Sequence, residues 1–174
     1  ARIKYQVSYM HERLWDKGNL MEPRFFTAFD SWFYSRRLTN RFDYDRNLSN
    51  GISIKMLASY SIYQRRKITY IKDLSTMNRE LSPNSADHDT TDFNAFVYRF
   101  VLGEDNADKK FNYTLGLDIN YEKGTGKRII DKKQRIGDYA MFASFKYTPL
   151  KALSLQPGLR MAYNTGFRVP PVPS

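Results

Sequence analysis

Apolar and polar residues alternate along most of this chain, most cleanly where Phe111, Tyr113, Leu115, Leu117, Ile119 and Tyr121 oppose Asn112, Thr114, Gly116, Asp118, Asn120 and Glu122. The last hairpin repeats the pattern in both arms, with Tyr139, Met141, Ala143, Phe145 and Tyr147 in one and Leu153, Leu155, Pro157, Leu159, Met161 and Tyr163 in the other. Another such set is Ile52, Ile54, Met56, Ala58, Tyr60 and Ile62. These runs predict seven strands, over residues 2–13, 36–48, 51–65, 91–102, 110–122, 134–148 and 152–164. The expected class is all-β, an antiparallel up-and-down meander. Pro157 cannot donate to a ladder, so a bulge or break is expected there.

The expected connections run long (14–35), short (Ser49-Asn50), long (66–90), short (103–109), intermediate (123–133) and short (149–151). Long loops gathered at one end are what a transmembrane barrel requires, whereas a soluble sandwich has no reason for them. In the third, fifth, sixth and seventh strands the apolar face presents 23 positions, none of them Asp, Glu, Lys or Arg. About six would be charged by chance. Lipid demands such an absence, since a midplane Lys or Arg costs roughly 2–4 kcal/mol. Tyr60, Tyr121, Tyr139, Tyr147 and Tyr163 fall near strand ends, where an aromatic girdle would lie.

Composition narrows the choice. The chain has 174 residues, 16% of them aromatic, with 13 Tyr and 12 Phe against 2 Trp. Such residues favour strands. A mean hydropathy of −0.63 argues against a bundle of membrane helices, and no apolar run approaches the roughly 20 residues a spanning helix needs. Polar lumen and loop residues make the same value compatible with a barrel. Net charge is +10, which suits nucleic acid, anionic lipid or an acidic ligand. With no Cys and only His11 and His88, far apart in the chain, no nucleophilic triad is spaced for catalysis, and an enzyme is not expected.

The succession of short motifs resembles one family. Leu155-Gln-Pro-Gly-Leu-Arg-Met-Ala-Tyr-Asn-Thr165 followed by Pro170-Pro-Val-Pro-Ser174 is similar to a mid-barrel signature of TonB-dependent outer-membrane receptors of the Bacteroidetes type. The same holds for Tyr9-Met-His-Glu12 with Trp15-Asp-Lys-Gly18, for Asp30 with Arg37 and Asn40, and for Tyr63-Gln-Arg-Arg-Lys67 with Tyr70-Ile-Lys-Asp-Leu74. The resemblance implies a 22-stranded barrel in the bacterial outer membrane that takes up a scarce nutrient with energy from TonB. The nutrient would be a siderophore, cobalamin, glycan or peptide. Residues 1–174 would be a mid-barrel fragment, truncated at both ends, with the plug domain before Ala1. No cofactor is implied. Expected partners are outer-membrane lipid and lipopolysaccharide, the TonB system through the plug, and a small ligand. Nucleic acid is not among them, and the isolated fragment is expected to self-associate through its edges and apolar face. The competing reading is a soluble antiparallel β module that binds nucleic acid or another polyanion.

Candidate ligand contacts come from two stretches. Trp15, Phe25, Phe26, Phe29, Trp32, Phe33 and Tyr34 form an aromatic-rich loop suited to a planar or hydrophobic ligand, with Trp15, Trp32 and Tyr34 as leading candidates. Lys123, Lys127, Arg128, Lys132, Lys133 and Arg135 form a basic loop, with Lys127 and Arg128 at its tip. It would face lipopolysaccharide or an anionic substrate, and Arg65, Arg66 and Lys67 extend this basic rim. Asp87, His88, Asp89 and Asp92 read as a solvated loop rather than a metal site. Gly124-Thr-Gly-Lys127 lacks the spacing of a phosphate loop, and Asp105 to Asp108 reads as a plain turn.

Overall fold

Cross-strand pairing, rather than packing of one layer on another, organises the molecule. The computed structural model describes every residue except 24, 49, 50, 107, 108, 151, 152, 167–171 and 174. The described residues form one antiparallel sheet of ten strands: β1 (Arg2–Leu20), β2 (Thr27–Asn47), β3 (Ile52–Asp73), β4 (Arg79–Leu81), β5 (Asp89–Glu104), β6 (Phe111–Gly126), β7 (Lys133–Leu150), β8 (Leu153–Leu155), β9 (Gly158–Asn164) and β10 (Val172–Pro173). Hydrogen-bonded order is β1-β2-β3-β5-β6-β7-β9-β10, with β4 on β3 and β8 on β7. This is the expected up-and-down meander. Among the described residues no helix is long and apolar enough to cross a membrane, which says nothing about crossing by strands.

The expected strand positions hold, but their lengths need correction. β1, β2 and β3 run for 19, 21 and 22 residues, so most of the long loops expected at 14–35 and 66–90 is ladder. Trp15 pairs with Trp32, and Trp32 with Ile68. The cause is physical: backbone pairing does not depend on which side chains alternate, and above the apolar rows both faces carry charge, as in a loop. The turn between β1 and β2 shrinks to residues 21–26, closed by Met21 N–H on Thr27 O at 2.8 Å. The intermediate loop at 123–133 similarly becomes the end of β6 and a 3-10 turn at Ile130–Lys132. The expected contrast between the two ends narrows: 105–110, at the end expected to be tight, is as long as 21–26 and 127–132, and only 74–88 remains long. The expected turn residues Ser49, Asn50, Ala107, Asp108 and Lys151 lie outside the described residues, as do Pro170, Pro171 and Ser174 of the C-terminal motif. Pro157 does break its strand, separating β8 from β9, and its carbonyl still accepts from Phe145 N–H at 2.9 Å.

Register aligns the apolar positions into continuous rows. Tyr44, Met56, Phe100, Leu117, Met141 and Met161 are successive partners across six strands, and Ile54, Leu102, Leu115, Ala143 and Leu159 form the next row. In β6 the band runs from Phe111 to Tyr121, about 33 Å along the strand. With the tilt of a barrel strand that projects to about 25 Å, the height of a barrel's lipid-facing band. Aromatic rings border it: Tyr60, Phe96 and Tyr121 pair in one row above, while Phe111 and Phe145 approach to 5.7 Å below.

Burial is inverted relative to a soluble domain. Ala140 is the one buried apolar side chain among the described residues, whereas Asp30, Ser31, Ser35, Thr69, Ser82, Asn112, Asp118 and Asn164 are buried polar ones. Leu159, Met161, Met141 and Leu115 lie exposed. The accessible surface is 12846 Å² for 20.5 kDa, against about 8,900 Å² for a folded soluble monomer of that mass. No second layer covers the apolar face among the described residues.

Candidate functional site

The polar face of the sheet carries its own chemistry. At its middle, Asp118 accepts from Arg99 Nε at 2.6 Å and from Arg160 Nη1 at 3.2 Å. Arg99 is its direct cross-strand partner, while Arg160 reaches over β7 past the small Ala140. Next to it Phe142 lies flat on Gly116, where a β-carbon would sit 1.9 Å from the ring. Only glycine leaves room for that ring. Arg41 and Asp43 form a second ion pair, at 2.8 Å.

Toward the long-strand end the polar face opens into a pocket of about 310 Å³, lined by Phe33, Tyr63, Arg65, Lys67, Asp89, Thr91, Phe93 and Arg128. Its assembly follows from register: Phe33 opposes Lys67, Lys67 opposes Asp89, Arg65 opposes Thr91, and Tyr63 opposes Phe93. Tyr63 and Phe93 rings lie 6.2 Å apart, and Phe93 rests against Gly124, where a β-carbon would stand 3.0 Å from the ring. Arg65 sits 4.7 Å above the Phe33 ring and Lys67 5.8 Å above it. Arg128 folds back from the β6–β7 turn to Asp89 at 3.5 Å. Asp89 Oδ1 is buried without a hydrogen-bond partner among the described residues. Three cations against one carboxylate, over aromatic walls, can hold an anionic ligand with a planar group.

The acidic stretch beside this pocket corrects an expectation, because Asp87, His88, Asp89 and Asp92 are built into the fold rather than solvated. His88 Nδ1 accepts from Thr69 N–H at 3.3 Å, which makes Nε2 the donor to Ser82 O at 2.9 Å. Thr69 Oγ1 donates to Asp87 O at 2.8 Å, and Gln64 Nε2 to Asp92 Oδ1 at 2.6 Å. These bonds dock the 3-10 turn Ser85–Asp87 on β3, and Lys127 Nζ reaches Ser85 O at 3.4 Å.

The five leading sequence candidates divide between the two faces. Arg128 lines the pocket and Lys127 stands just outside it. Trp15, Trp32 and Tyr34 share the other face, because they continue the rows of Ile3 and Tyr44. The indoles stack at 5.5 Å with 9° between planes. Arg13 lies 4.1 Å above Trp32 and 5.7 Å above Tyr34. Trp15 donates its indole N–H to the buried Asp30, which also faces Arg79 at 3.5 Å. Apart from Phe25 and Phe26, which stay in the turn, the aromatic-rich stretch is therefore strand, and its tryptophans are spent on one another. Phe93 and Tyr63 were missed as pocket walls, since only the register β3–β5 brings them together.

No family model matches the chain, and no curated protein matches it. Solved structures with a similar fold include the unliganded ferric citrate transporter FecA, at 11% identity and a TM-score of 0.43, covering 91% of this chain and 24% of that one. The siderophore receptor PirA from Pseudomonas aeruginosa is similar at 12% identity and a TM-score of 0.44, with 96% and 37% covered. For BauA, the ferric preacinetobactin receptor from Acinetobacter baumannii, the figures are 14%, 0.38, 90% and 27%. The chain thus spans between 24% and 37% of the length of these structures.

Proposed function

We propose that this chain forms part of the wall of a 22-stranded outer-membrane receptor of the TonB-dependent type, one that takes up a scarce nutrient. The observation that carries this reading is the aligned apolar band on a sheet without a soluble core. Band height, bordering aromatics and a polar opposite face suit lipid outside and a water-filled lumen inside. In this reading residues 1–174 are a mid-barrel part of a Bacteroidetes-type receptor, TonB contact is made by a plug domain of the same receptor, and the basic rim meets lipopolysaccharide.

The pocket between Phe33 and Arg128 is then a lumen-side contact for an anionic ligand near the outer rim. Its basic and aromatic lining favours a ferric chelate with planar groups over a neutral glycan. Binding of ferric citrate, a ferric catecholate, cyanocobalamin and a neutral oligosaccharide to the protein and to its R65Q/K67Q variant tests this. At least one anionic chelate is expected to bind and to weaken tenfold or more, about 1.4 kcal/mol per tenfold, with the neutral ligands unchanged. Equal affinities throughout would remove the pocket from ligand recognition.

A further inference from the structure

The apolar-side face, just above the band, holds a second basic cluster that the pocket on the opposite face does not use. Leu38, Ile62 and Asn94 make the last row of the band in β2, β3 and β5. The next row is His11, Arg36, Gln64 and Asp92, and the one above it Arg13, Tyr34, Arg66 and Thr90. Arg36 opposes Gln64, two residues from Arg66, so the two arginines are diagonal neighbours, about 7–8 Å apart at the backbone. Both are exposed, and neither takes part in an ion pair among the described residues. The nearby carboxylates have their own partners: Asp92, at the end of the same row, takes the Gln64 amide at 2.6 Å, and Asp30 takes Trp15 and Arg79. A groove of about 280 Å³, lined by His11, Tyr34, Arg36, Gln64, Arg66 and Ile68, lies between them.

We propose that this groove binds the phosphate of a phosphorylated lipid in the surrounding leaflet, gripped by Arg36 and Arg66. This rests on reading the apolar band as lipid-facing. Like charges set diagonally across a ladder repel, and a bridging anion relieves the repulsion. Height selects the source: Arg36 lies two residues and Arg66 four residues above the last apolar row, about 7 and 13 Å along the strand, which barrel tilt reduces to about 5 and 10 Å above the hydrocarbon, so that both long side chains reach the headgroup layer. Guanidinium groups take phosphate in bidentate geometry. His11 adds a polar partner to the same anion, Gln64 stays on Asp92, and Tyr34 and Ile68 give the groove apolar wall for the lipid's glycerol or sugar.

The test reconstitutes the protein in phosphatidylcholine nanodiscs doped with dioleoylphosphatidic acid and counts lipid retained after detergent extraction by native mass spectrometry. Wild type is expected to retain phosphatidic acid at least tenfold better than R36Q/R66Q, with R41Q, altered on the opposite face, matching wild type. Equal retention by wild type and R36Q/R66Q overturns the proposal. Release of the lipid by millimolar inorganic phosphate also overturns it and assigns a free-anion site. Failure of the wild-type protein to enter nanodiscs refutes the lipid-facing band itself and this site with it. Insertion without arginine-dependent retention refutes the site alone.

Discussion

Asp118 is the residue on which the polar face is most tightly knotted. Its side chain is 8% exposed and takes both Arg99 and Arg160, which joins β5, β6 and β9 without any apolar core. Replacing it by Asn keeps the volume and removes the charge, leaving both guanidinium groups without an anion. Because their side chains are 62% and 47% exposed, water recovers part of the loss. Asp118→Asn is expected to lower stability by about 1–2 kcal/mol in urea unfolding from lipid vesicles. Asp73, at the turn after β3, gives a pH signature instead. Backbone N–H groups of Thr76 and Ser75 hold its carboxyl below the ordinary 3.8. A depressed carboxylate stabilises the turn above its ordinary range, and that contribution fades as pH falls from 3.8 through the lower folded value. Amide exchange at Ser75 and Thr76 should therefore accelerate, beyond its intrinsic pH trend, on going below 3.8, and Asp73→Asn should abolish the effect.

At the scale of elements, the seven strands were legible wherever one face meets a uniform environment. Leu115, Leu117 and Ile119 alternate with polar residues because lipid-like and water-like sides differ by several kcal/mol for a charge. Beyond the band both sides are wet, and Glu12, Arg13 and Lys17 in β1, or Arg65, Arg66 and Lys67 in β3, look like loop while pairing fully. Pro157 was readable because a missing donor acts on the ladder itself. The pocket was half legible: Arg65, Lys67 and Arg128 stood out as a basic rim. Their meeting with Phe33 and Phe93 depends on partner register that no local pattern contains. The stacked tryptophans extend β1 and β2 past the band, and a double-mutant cycle on Trp15→Leu and Trp32→Leu should give a coupling of about 0.5–1.5 kcal/mol. A coupling near zero would mean that the ladder, not the stack, holds these ends together.

For the whole molecule, the inverted burial and the excess surface of a single-layer sheet support the proposed membrane wall. A soluble polyanion-binding module would need something over Leu159, Met161 and Met141, and among the described residues nothing lies there. Among the described residues β1 pairs with β2 alone, so its other edge offers unmade hydrogen bonds. Residues 1–174 alone in aqueous buffer should therefore elute as dimers or larger species in light scattering, and detergent should reduce their size. A stable detergent-free monomer would contradict a lipid-adapted face.

The most direct measurement is nitroxide labelling along β6, where the absence of Cys lets each introduced cysteine report alone. Labels replacing Leu115, Leu117 and Ile119, with Leu159 and Met161 on β9, should collide strongly with oxygen and weakly with aqueous nickel chelate in lipid vesicles. Labels at Thr114, Asn120 and Ala162, on the opposite face, should show the reverse. A period-two accessibility locked to this register is what a barrel wall produces. Nickel accessibility at Leu115 and Leu159 equal to that at Thr114 and Asn120 would contradict the membrane-wall reading.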